Sequence, residues 1–133
     1  MVVTAVLDTS VIIEILDGGS TDVVDELLDK YRVLYIPWIS LYEYLYGHKY
    51  IGKNPIERKK LVERLGVIIW VTQNILLRAL ELDVSLSKKG LKIPFSDVLI
   101  AATAFEMNSE LVTMDVRHFS RIPGLKVYIP KSK

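Results

Sequence analysis

The chain has 133 residues, half of them hydrophobic and a quarter charged, a length that fits one domain (1–133) built as a compact, soluble globule. It has no cysteine, which excludes disulfides, thiolate metal sites and a cysteine nucleophile, and fits a reducing interior. A net charge of +1 selects no partner, yet residues 1–30 hold seven acids and one base, formally −6, and the rest nine acids and sixteen bases, formally +7. Acidic and basic surfaces can therefore coexist on one domain.

In chain order, "VVTAVLD" is a short, β-branched run ending at a carboxylate and followed by "TSVIIEIL", which reads as strand then helix. "STDVVDELLDKY" offers Ser20 as an N-cap and the amphipathic spacing Val23, Val24, Leu27, Leu28. "RVLYIP" is a second strand stopped by Pro37, and "SLYEYLYG" a helical start. "NPIERKKLVERLG" is a charged helix with Pro at its beginning and Gly at its end. "VIIWV" reads as a third strand, and "TQNILLRALELDVSLSKKG" as a long helix closed by Gly90. "IPFSDVLIAATAF" opens another helix, with Ser96 as its cap and Asp97, Ile100, Ala101 and Ala104 on one face. "ELVTMD" and, after "VRHFSRIPG", "LKVYI" complete five strands.

Apolar strands separated by helices imply a mostly parallel sheet covered on both faces, a three-layer α/β/α domain without repeats or linkers. The longest uncharged run, between Arg64 and Arg78, carries Thr72, Gln73 and Asn74 and is too short to span a bilayer. The N-terminus lacks the basic-then-apolar layout of a signal peptide. The expectation is a cytoplasmic protein with no membrane segment.

In open parallel sheets, function gathers at the carboxyl ends of the strands. Asp8 ends the first strand, Glu43 follows the second, Asp97 opens the helix before the fourth, and Asp115 ends the fourth. Each has an ordinary explanation as well: Asp8 and Asp115 as helix caps, Asp97 as a first-turn acid beside the helix dipole, Glu43 as a solvated edge. The coincidence of all four at one sheet edge favours a site. Converging carboxylates repel one another and raise each other's pKa, a conflict that a divalent ion relieves. Hard oxygen donors without Cys or a His pair favour Mg²⁺ or Mn²⁺ over Zn²⁺. Metal-dependent phosphodiester hydrolysis is the reaction class that follows.

Four blocks, "LDTSVII" at 7–13, "SLYEYLYG" at 40–47, "FSDVLIAATA" at 95–104 and "LVTMDVRHFSRIPGLKV" at 111–127, resemble in order the signature blocks of PIN-domain ribonucleases. They are similar in particular to the VapC-type toxins of prokaryotic toxin-antitoxin pairs, and the likeness runs from about residue 3 to about residue 129. The resemblance implies a five-stranded sheet ordered 3-2-1-4-5 and an acidic metal site at Asp8, Glu43, Asp97 and Asp115, with Thr113 and Ser10 as polar helpers. In that reading Asp8, Asp97 and Asp115 bind the ion directly or through water, and Glu43, also a candidate ligand, orients or deprotonates the attacking water. It further implies cleavage of single-stranded RNA leaving a 5′-phosphate, a homodimer, and a cognate antitoxin that enters the acidic cleft.

Lys49, Lys53, Arg58, Lys59, Lys60 and Arg64 form the densest basic region, and Lys88, Lys89 and Lys92 a second. Such residues are ordinarily solvated, or line a path for an RNA backbone. Arg117 and Arg121, flanking the last block, are the preferred phosphate contacts, while His48 and His118 read equally well as ordinary surface residues. Trp38, Tyr42, Tyr44 and Tyr46 place aromatics on more than one face of a short helix, some for the core and the excess for a second copy or an antitoxin helix. A receiver-type domain would need an Asp ending the third strand, and an aspartyl phosphatase an Asp where Ser10 stands. Two other readings remain: a housekeeping RNA-processing PIN nuclease, and a non-catalytic PIN-like module that binds RNA or protein.

Overall fold

The computed structural model describes residues 3–132. Strands β1 (Thr4–Leu7), β2 (Val33–Pro37), β3 (Val67–Ile69), β4 (Glu110–Val112) and β5 (Val127–Tyr128) form one sheet ordered β3-β2-β1-β4-β5. Every neighbouring pair is parallel, with Ala5 opposite Leu34 on one side and Glu110 on the other. Strand order and fold class are those expected from the sequence. The order reverses between β1 and β4, so the carboxyl ends of these two strands flank the topological switch point. Asp8 N donates to Val112 O at 3.0 Å, which closes the ladder immediately before the site.

Six α-helices cover the sheet. They are α1 (Thr9–Leu16), α2 (Thr21–Lys30), α3 (Trp38–Tyr50), α4 (Pro55–Leu65), α5 (Gln73–Lys88) and α6 (Phe95–Glu106). Successive strand side chains alternate between two apolar clusters. Ala5, Leu7 and Val112 face the one that holds Val11, Ile12, Val23, Leu27 and Val62 of helices α1, α2 and α4. Val6 and Leu111 face the other, with Ile75, Ala79 and Leu86 of α5 and Ile100 of α6. Two separate cores thus grip the strands that carry the acids. Truncating a fully buried Ile or Leu in either to Ala costs about 2–5 kcal/mol.

Local signals explain most boundaries. Asn54 caps α4 by accepting from Ile56 N at 2.9 Å, with Pro55 at the first helical position. Thr72 caps α5 by accepting from Ile75 N. Gly90, at φ +71°, ends that helix in the left-handed region. Gly66 lets the chain pass so close to β2 that a Cβ there would sit 2.5 Å from Leu34 O.

Four expectations need correction. Ser96 is not a cap: α6 begins at Phe95, Pro94 precedes it, and no side chain caps its end. Ser20 occupies the N-cap of α2, but its hydroxyl donates to Glu14 Oε2 instead of a helix amide. The third strand stops at Ile69, leaving Trp70 and Val71 exposed, because no neighbouring strand pairs with them. Residues 98–104 are all buried, so α6 is a core helix sunk on every side and not a striped one.

On α3, Tyr44 is buried while Tyr42, Tyr46 and Tyr50 are exposed in series, the first two rings tilted at a centroid distance of 6.3 Å and the last two stacked at 6.2 Å. Tyr44 OH donates to Asp17 Oδ1 at 2.8 Å, and the Nε2 of buried His48 reaches Asp17 Oδ2 at 2.9 Å. This pair clamps the end of α1 to α3. Among the described residues no helix is long and apolar enough to cross a membrane.

Candidate active site

The turn from β1 into α1 builds the innermost acid. Asp8 is buried and caps α1: Oδ1 accepts from Thr9 N at 2.8 Å, and Oδ2 from Ser10 Oγ and Thr113 Oγ1, each at 2.7 Å. The capping and site readings of Asp8 are therefore compatible, because a side chain fixed by three donors is also a pre-oriented ligand. Thr113 is fully buried at the end of β4, and its oxygen also accepts from Asp115 N at 3.1 Å. Ser10 Oγ, besides donating to Asp8, accepts from Met114 N at 3.0 Å. Both polar helpers expected from the resemblance bind Asp8 and tie the first strand end to the fourth.

Glu43 comes from the second turn of α3, and the link to Asp8 is Thr9, whose Oγ1 donates to Glu43 Oε1 at 2.6 Å. Asp97 sits in the first turn of α6, half-buried, with Oδ2 2.6 Å from His118 Nδ1. Burial pushes the Asp97 carboxyl above its ordinary value; the His118 hydrogen bond pulls it down; the charges of Asp8 and Glu43 push it up again. Asp97 thus feels the charges of two acids that lie far from it in sequence.

Asp115 behaves differently. It is exposed and turned to Arg117, whose Nη2 and Nε donate to Oδ2 at 2.6 and 2.9 Å. The Arg117 side-chain and backbone hydrogen bonds hold the Asp115 carboxyl below its ordinary value. Arg121 Nη1 donates to Lys92 O at 3.0 Å, which ties the 3₁₀ turn Phe119–Arg121 to the segment before α6. Of the two arginines, Arg117 alone contacts one of the four acids. Among the described residues, no three acid or histidine side chains already stand at the spacing of a metal's ligand set, Asp97 being engaged by His118 and Asp115 by Arg117.

The chemistry of the donors nevertheless suits a hard divalent cation. All four are carboxylates, and the charges of Asp8 and Glu43 add to burial in lifting Asp97 against the pull of His118. Sequence reasoning missed Thr9 and His118. Thr9 could have been noticed as a hydroxyl beside Asp8; the contact of His118 with a residue 21 positions away had no local signature.

This geometry belongs to a known class. The PIN domain family matches residues 5–125, and the chain belongs to that family. The chain is similar to ribonuclease VapC2 of Rickettsia felis, at 36% identity over 103 residues, 75% of this chain and 76% of that protein. The VapBC2 complex of Rickettsia felis, crystallised with a DNA fragment from its promoter, contains a chain that matches with a TM-score of 0.85 at 28% identity, over 95% of this chain and 98% of that one. A chain of VapBC-1 from nontypeable Haemophilus influenzae gives 0.82 at 23% identity, over 95% and 97%, a likeness of fold alone. The resemblance to VapC-type PIN domains read from the four sequence blocks therefore holds.

Proposed function

We propose that the protein is a Mg²⁺- or Mn²⁺-dependent endoribonuclease that hydrolyses phosphodiesters of single-stranded RNA, acting as the toxin of a VapBC-type pair. The observation that carries this reading is the fixing of Asp8 by Thr9 N, Ser10 and Thr113, and of Glu43 by Thr9, at the carboxyl edge of the sheet, with half-buried Asp97 within reach of both charges. The similarity to VapC2 of Rickettsia felis, a ribonuclease by name, supports the same activity here.

In this reading Asp8, Asp97 and Asp115 hold the ion, with Glu43 a further candidate ligand. When bound, the ion supplies charge neutralisation and a more acidic water. Glu43, fixed through Oε1 by Thr9, keeps Oε2 for orienting or deprotonating that water. Thr113 and Ser10 hold Asp8 in place, while Arg117 and Arg121 contact backbone phosphates as the RNA is positioned. The partners follow from the same reading: a second copy of the chain and a cognate antitoxin, for which the exposed tyrosines of α3 and the exposed Leu76, Leu77, Leu80 and Val84 of α5 supply apolar surface. The cytoplasm is the compartment in which such a pair works.

Purified protein and its Asp97→Asn variant, incubated with single-stranded RNA, test the activity. Cleavage is expected from the wild type with Mg²⁺ or Mn²⁺, to stop on chelation, and to be lost in the variant with its circular dichroism unchanged. Equal cleavage by both proteins would remove Asp97 from the site.

A further inference from the structure

His118 is the group at this site with no role so far. It contacts one of the acids directly, with Nδ1 2.6 Å from Asp97 Oδ2. Among the described residues Asp97 Oδ1 has no protein hydrogen bond, so the imidazole engages one carboxylate oxygen and leaves the other free. With Asp97 ionised, the carboxylate accepts and the ring nitrogen Nδ1 carries the proton.

Both sides of this contact are stiff. His118 leads into the 3₁₀ turn Phe119–Arg121, where Ser120 N donates to Val116 O at 2.8 Å and Arg121 N to His118 O at 3.1 Å. Phe119 is buried in the same apolar cluster as Val98 and Ile100 of α6, which anchors the turn against the helix that carries Asp97. Arg121 Nη1 on Lys92 O adds a second tie across the same gap. The histidine is therefore held by packing on a short turn, an arrangement that fixes a partner's side chain far better than a mobile surface residue would.

We propose that His118 is a positioning residue for the acidic site, its Nδ1–H fixing Asp97 Oδ2 so that Oδ1 stays available to a divalent cation. This rests on the reading of Asp8, Glu43, Asp97 and Asp115 as a metal site. A ligating carboxylate that is already oriented loses less freedom when the ion arrives, and partners of this kind contribute about 10- to 100-fold to metal affinity. Asparagine places an amide N–H near the position of Nδ1 and keeps the hydrogen bond without the imidazole.

The test is Mn²⁺ binding, followed by calorimetry and by the electron spin resonance of free Mn²⁺, for the wild type and for His118→Ala, His118→Asn and Asp97→Asn, with thermal unfolding of each. His118→Ala is expected to bind Mn²⁺ about 10- to 100-fold more weakly, and His118→Asn to recover most of that loss, at closely similar unfolding temperatures. Wild-type affinity in His118→Ala, while Asp97→Asn loses binding, would overturn the positioning role and leave the metal site standing. Tighter binding by His118→Ala would overturn it too, making the histidine a competitor for Asp97. So would failure of His118→Asn to recover affinity, or nitrogen coupling in the spin-echo spectrum of the Mn²⁺ protein, which would make the imidazole itself a ligand. Undiminished binding by Asp97→Asn, or none by the wild type, would remove the metal-site reading and the proposal with it.

Discussion

Replacing Thr113 by Val keeps the shape of a fully buried side chain and deletes its hydroxyl. That hydroxyl has one proton, which goes to the charged acceptor, Asp8 Oδ2 at 2.7 Å, while the oxygen accepts from Asp115 N at 3.1 Å. A hydrogen bond to an ionised group contributes about 1.5–3 kcal/mol. Ser10 still donates to the same Asp8 oxygen, and the exposed Asp115 turn can turn its amide to water, so the low end applies, about 1.5 kcal/mol. For a chain of this size that is roughly 6 °C in Tm. Because Asp8 also loses one of the three donors that orient it, Mn²⁺ affinity should fall by about tenfold or more. Calorimetric melting in chelator, followed by Mn²⁺ titration, measures both. A Thr113→Val protein that melts with the wild type and binds Mn²⁺ equally would show that the hydroxyl neither stabilises the strand end nor positions Asp8.

Glu26 joins α2 to the C-terminal segment. Burial opposes its ionisation, but hydrogen bonds from Tyr128 OH and from the backbone N–H groups of Lys131 and Ser132 outweigh that and bring its pKa down to about 2. A depressed folded-state value means that the contribution is complete above the ordinary carboxyl range and fades as pH falls from about 4.5 toward 2. Hydrogen exchange at the Lys131 and Ser132 amides should therefore lose protection over that window in the wild type, and be unprotected already at pH 7 in Glu26→Ala; a pH-independent pattern would contradict it. The proposed dimer is checked by sedimentation: Leu80→Lys, placing a charge among exposed α5 leucines, should weaken association about tenfold or more. A wild type that stays monomeric, or a variant that associates as well, would move the interface elsewhere or abolish it.

What the sequence made legible follows from how local each signal is. The strands are short β-branched runs, and Pro55 and Gly90 mark helix ends within a residue or two, so these readings survive folding. Ser96 failed as a cap because Pro94, two residues earlier, already takes the extended N-cap backbone, and the helix starts at Phe95. Trp70 and Val71 look like strand by composition, but a strand needs a partner, and pairing with β2 ends at Ile69. Alternation along β1 and β4 gave two faces without saying which helices cover each. The four acids, and a divalent ion among them, could be read from their places at one predicted sheet edge, while the strand order and the polar helpers Thr113 and Ser10 came through resemblance. The contacts that organise those acids, Thr9 with Glu43 and His118 with Asp97, join segments 34 and 21 residues apart and left no mark in the local pattern.

The site carboxylates also differ in how firmly they are held, and that ranking suggests an order of assembly. Asp8 is held by Thr9 N, Ser10 and Thr113, all within its own strand end or the neighbouring one, and cannot turn without breaking three bonds. Glu43 and Asp97 each have one oxygen fixed by a group from another segment and one left over. Asp115 is exposed and paired with Arg117 across solvent, where an ion pair contributes little and is easily exchanged. In the proposed site, the charges that act on Asp97 thus come from the firmly held acids, while Asp115 has the most easily exchanged partner. The proposed site thus keeps its firmly held acids on elements packed into the two apolar cores and its adjustable member at the surface, beside Arg117.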